Sequence, residues 1–67
     1  MRETIVAALK AKYEGQKLEA LANVEVYLTN PAGIGEHPDV VEAVDSQIAK
    51  FAEAEEKLEA LKIFSEW

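Results

Sequence analysis

The sequence predicts an all-α protein: an antiparallel two-helix hairpin, with helices over about residues 2–29 and 38–63, that assembles into a dimeric four-helix bundle. Three observations predict it. Apolar residues recur at steps of three and four in two stretches of similar length, the period of one helix face. Both prolines and two of the three glycines fall between those stretches, in "NPAGIGEHPD" from Asn30 to Asp39. The remainder is rich in Ala, Glu, Lys and Leu, a composition typical of long helices.

The first helix is read from Arg2 to Thr29. Ile5, Val6, Leu9, Tyr13, Ala20, Leu21, Val24, Tyr27 and Leu28 form its stripe, and Lys10 and Glu14 are spaced to pair on the wet face. Gly15 interrupts it at a cost of about 1 kcal/mol relative to alanine, and "GQK" leaves the stripe without a large side chain. A close neighbour, a slight bend, or an exposed glycine without a role would each explain this. "NVEVYLTN" is β-prone, yet Leu21, Val24 and Leu28 continue the stripe and no partner strand is visible, so helix is preferred. Asn30 before Pro31 stops the helix, because the residue before proline avoids the α region.

The loop covers residues 30–37, with Gly33 and Gly35 reversing the chain around Ile34. Ile34 either tucks back to cap the hairpin or is presented to a partner. The second helix begins near Pro38, a residue suited to the first helical position, which places His37 at the N-cap. Asp39 and Glu42 follow where negative charge complements the helix dipole. Val41, Val44, Ile48, Phe51, Leu58 and Leu61 form the stripe, with Ala54 or Glu55 at the crossing turn, and Glu53 and Lys57 are spaced to pair. Ile63, Phe64 and Trp67 in the tail cover the other helix or a second subunit. "KLEAL" occurs twice, a match that helical composition generates readily, and it is not read as a repeat.

A core of 67 residues is marginal without disulfides, metal or oligomerisation. The chain has no cysteine and one histidine, so self-association is the expected stabiliser. Two helices cannot enclose a core, whereas two hairpins can. The expected interface residues are Tyr13, Val44, Ile48, Phe51, Leu58, Phe64 and Trp67.

The net charge of −6 is carried by residues 31–67; residues 1–30 balance to zero. Without a basic stripe the chain is expected to bind neither nucleic acid nor anionic membrane, and its acidity serves solubility. Its longest apolar run, Ile5 to Leu9, is too short to span a bilayer. No signal peptide is read at the N-terminus.

Catalysis is not expected: one histidine and no cysteine leave little from which to build a nucleophile–base pair, and a hairpin has no cleft of its own. Glu55, beside the stripe, is either a partly buried carboxylate or a flanking charge reaching water. "GIGEHP" lacks the third glycine of a dinucleotide fingerprint and the Lys-Ser/Thr of a phosphate loop. Glu36, His37 and Asp39 are weak metal candidates, since they lack the helical spacing that would aim them at one point. No cofactor is expected.

The block "NVEVYLTNPAGIGEHPD" and the acidic helix after it, from Ala22 to Leu61, resemble a family of short proteins encoded by T-even-like tailed phages (myoviruses) of marine cyanobacteria. The resemblance implies a phage setting, in the cytoplasm of an infected cell or in a virion, and carries over no functional residue. The expected function is a non-enzymatic, self-associating structural or assembly component. The alternatives are an acidic regulatory binder of a host protein and a metal- or ligand-binding bundle.

Overall fold

The computed structural model describes residues 1–29 and 39–67; Asn30 to Pro38, which include Gly33, Ile34, Gly35, Glu36 and His37, lie outside the described residues. Two helices make up the described chain: α1, Arg2–Thr29, and α2, Val40–Ser65. They pack along each other as an antiparallel hairpin measuring 48 × 15 × 14 Å. Its radius of gyration is 15.2 Å, against ~11 Å for a compact chain of this length. The molecule is a rod, and most of its side chains face outward.

Each helix end is tied by local chemistry. The Met1 carbonyl accepts from the Ile5 amide at 3.0 Å, starting α1 at the first opportunity. At its far end the Thr29 hydroxyl donates to the Glu25 carbonyl at 2.6 Å. Helix α2 starts two residues later than Pro38, and its N-cap is Asp39 rather than His37. The Asp39 carboxylate accepts from the Glu42 amide at 2.9 Å, which satisfies a donor that would otherwise lack a partner in the first turn. Aspartate is the stronger cap, and its preference outweighs that of proline for the first helical position. At the end of α2 the Arg2 guanidinium donates to the Phe64 carbonyl at 2.8 Å, placing a cation where the helix dipole is negative.

The seam follows from spacing. On α2, Val40, Val44, Gln47, Phe51, Ala54, Leu58 and Leu61 alternate steps of four and three, and all are buried or half-buried. On α1 the matching set is Val6, Leu9, Tyr13, Lys17, Ala20, Val24 and Tyr27. Its two consecutive steps of four, around Tyr13 and Lys17, are a local shift in the heptad. Here the gap at "GQK" is filled by Lys17. Its ammonium lies 5.5 Å from the Phe51 ring centroid and 3.2 Å from the Glu55 carboxylate, so its aliphatic stem takes the place of a missing apolar side chain. On the other helix the exposed Lys57, beside the seam, lies 5.5 Å from the Tyr13 ring while pairing with Glu53 at 3.0 Å.

Ala20 and Ala54 are the most deeply buried residues, at 1% and 2% exposure. Their small side chains let the helices approach. Gly15 plays no such part: a methyl group there would meet nothing within 4 Å, which overturns the close-neighbour explanation. Lys10 and Glu14 do not pair; the ion pairs among the described residues are Lys17–Glu55, Glu53–Lys57 and Glu59–Lys62. Among the described residues no helix is long and apolar enough to cross a membrane.

Candidate functional site

The apolar stripe read from sequence is wider than the seam that two helices use. Leu21 is 42% exposed, Leu28 68%, Val41 81% and Ile48 52%. Ile5, Phe64, Trp67 and Met1 are exposed as well. These groups sort onto the two broad sides of the rod.

The side is fixed by the groove that each residue lines. Glu14, Lys17 and Lys10 share one shallow groove with Glu55, Glu59 and Lys62. Residues seven apart lie nearly over one another on a helix, drifting only ~20° per heptad. Glu14 is followed on α1 by Leu21 and Leu28, one and two heptads on. Glu55 is preceded on α2 by Ile48 and Val41, one and two heptads back. All four apolar residues therefore continue this first side towards the loop end.

Their levels match too. Lys17 pairs with Glu55, Asn23 bonds to Gln47 at 3.1 Å, and Lys57 sits over Tyr13. That antiparallel register sets Leu21 level with Ile48 and Leu28 level with Val41. The loop-end half of the first side thus carries four exposed apolar residues, two on each helix, paired by level. Its other half carries both signs of charge, in Lys10, Glu14, Lys17, Glu55 and Lys62.

The second side is divided. Its groove is lined by Gln16, Glu19, Lys50, Glu53 and Lys57, all polar, around Ala20 and Ala54. The same heptads lead from Glu19 back to Ile5 and from Lys57 on to Phe64, so an apolar cluster of Met1, Ile5, Phe64 and Trp67 forms at the termini. Phe64 and Trp67 meet edge to face, with ring centroids 5.3 Å apart.

Of the interface residues expected from sequence, Tyr13, Val44, Phe51 and Leu58 are half-buried in the seam within one chain. Ile48 lies on the first side, and Phe64 and Trp67 on the second. Leu21, Leu28 and Val41 complete the first strip; they stood in the sequence as stripe residues, and only the register shows that they are left over. Glu55 is half-exposed and ion-paired. Asp39 is engaged as the helix cap, and among the described residues no group of three or more His, Cys, Asp or Glu side chains is placed to hold a metal ion. Comparison with protein families, with curated proteins and with solved structures finds no match.

Proposed function

We propose that this chain is a non-enzymatic, self-associating structural or assembly component of phage type, whose working unit is a dimer of hairpins forming a four-helix bundle. The observation that carries the reading is surface. The chain exposes 5227 Å², whereas a folded monomer of 7.4 kDa exposes about 4,200 Å². The excess of roughly 1,000 Å² is comparable to the ~800 Å² that each partner buries in a standard protein interface. The exposed apolar strip on the first side supplies a place for that contact, and the phage setting rests on the resemblance of residues 22–61 described above.

Light scattering or sedimentation equilibrium tests self-association. The expected molar mass is twice the 7.4 kDa of the chain. A mass of one chain at every concentration overturns the reading. A second reading, an acidic binder of a host protein, is favoured by the exposed carboxylates of Glu42, Asp45 and Glu56 on α2. Mass spectrometry of purified virions separates the two. Presence in particles supports the structural component, and absence supports the binder.

A further inference from the structure

We propose that the dimer forms through the first side of the rod, with the strip Leu21, Leu28, Val41 and Ile48 packed on the same strip of a second copy, about a two-fold axis parallel to the helices. This rests on the self-association proposed above and adds which face is used and how the copies are aligned.

Three observations select this occupant and this axis. The first is area. One broad face of a rod 48 Å long and 15 Å wide covers about 700 Å², close to the ~800 Å² per partner of a stable interface. Only an arrangement that overlaps the rods along their full length uses it all.

The second is direction. In a square four-helix bundle each helix has two neighbours, about 90° apart around its axis. At about 100° per residue, Leu21 and Leu28 lie on average about 75° from the centre of the α1 seam. Val41 and Ile48 lie on average about 100° from the centre of the α2 seam on the same side of the rod. Each helix therefore carries two apolar faces at about the angle that such a bundle requires, one filled within the chain and one open. Among the described residues the second side offers the terminal cluster of Met1, Ile5, Phe64 and Trp67, cut off by charge.

The third is level. A two-fold axis along the rod sets α1 of one copy against α2 of the other, antiparallel and in the register found within one chain. Leu21 then meets Ile48 of the second copy and Leu28 meets its Val41. A two-fold axis across the rod, with the same overlap, instead sets Leu21 level with Lys10 and Ile48 between Glu55 and Glu59, so that the apolar half of the first side lies on its charged half. That would take the ion pairs Lys17–Glu55 and Glu59–Lys62 out of water against leucine and isoleucine, a costly arrangement.

Disulfide trapping tests the proposal, and the chain has no cysteine to interfere. Helices in contact run 8–10 Å apart, which brings facing Cα atoms within the ~7 Å limit for a disulfide. Leu21→Cys and Ile48→Cys proteins are mixed, oxidised gently and separated without reductant. A disulfide-linked dimer several-fold more abundant than in a Leu21→Cys and Phe64→Cys mixture is expected. In parallel, Ile48→Lys should lower the molar mass to that of one chain, while Phe64→Lys leaves it doubled.

Each result decides something different. A wild-type monomer removes both this proposal and self-association. A wild-type dimer in which Leu21→Cys links to Lys10→Cys, and not to Ile48→Cys, overturns the parallel axis alone. A dimer that survives Ile48→Lys and dissociates with Phe64→Lys overturns the choice of face and leaves self-association standing. Should Ile48→Lys unfold the chain, the milder cysteine pairs still distinguish the faces.

Discussion

Replacing Gly15 with alanine should stabilise this protein. Gly15 lies well inside α1, its surroundings are open, and a methyl group added to it meets nothing within 4 Å. No contact is lost and none is crowded, so the change reduces to intrinsic helix preference. Glycine costs about 0.8–1.0 kcal/mol relative to alanine in a helix interior, largely because the unfolded chain loses more freedom at glycine. The expected gain is about 1 kcal/mol per chain. For a domain of this size that raises the melting temperature by roughly 4–8 °C. Urea unfolding followed by far-ultraviolet circular dichroism, at matched protein concentration, should show a higher midpoint with an unchanged slope. A lower midpoint would refute the reasoning, because it would mean that the methyl position is not open in solution. A changed slope would show that the substitution altered the extent of folding rather than its free energy.

Asp39→Ala removes the acceptor for the Glu42 amide and should cost about 1 kcal/mol in the same assay, while Asp39→Asn, a cap of similar quality, should cost little. Ala54→Leu forces three more heavy atoms into a site that is 2% exposed and should destabilise by roughly 1–3 kcal/mol, read as a lower urea midpoint. Lys57 is held above its ordinary pKa of 10.5, first by the hydrogen bond from its ammonium to Glu53 and then by the charge of Glu53. A raised pKa contributes stability that is complete below 10.5 and is lost as pH rises through the folded value, so this pair gives no pH dependence near neutrality. Glu53→Gln should lower the Lys57 pKa in an NMR titration of its side chain, and an unmoved pKa would count against the pairing.

The hairpin was legible in the sequence because its information is local. Steps of three and four marked both helices, and α1 runs to Thr29, the last described residue before Asn30. The start of α2 was harder, since Pro38 and Asp39 are both start signals and only the hydrogen bond to Glu42 ranks them. Lys17 in the seam was not legible, because a lysine at a stripe position reads as a gap until Phe51 and Glu55 are seen beside it. The surface strip was half legible. Periodicity says which residues share a broad apolar face, but not how much of that face the first neighbour covers. Leu21 and Val24 differ by less than one turn, yet Val24 enters the seam and Leu21 stays out. The loop residues Ile34, Glu36 and His37, singled out in the sequence, lie outside the described residues.

The polar groups of the seam and the apolar strip outside it are linked through register. Asn23 and Gln47 are part-buried and satisfy one another at 3.1 Å. A slip of one heptad would set Asn23 level with Val40 or Ala54 and leave both amides without that partner, at a cost of about 1–3 kcal/mol for each buried group. The same slip would separate Lys17 from Glu55. A seam of this kind adds modest net stability, but it discriminates strongly among alignments that the valines, leucines and alanines alone would tolerate. The strip depends on that discrimination. With Asn23 against Gln47, Leu21 is level with Ile48 and Leu28 with Val41. Slipped one way by a heptad, Leu21 would stand level with Val41, and Ile48 with Glu14, so a carboxylate would break the strip. The register that this seam polarity enforces is therefore what keeps the exposed apolar residues of the two helices level.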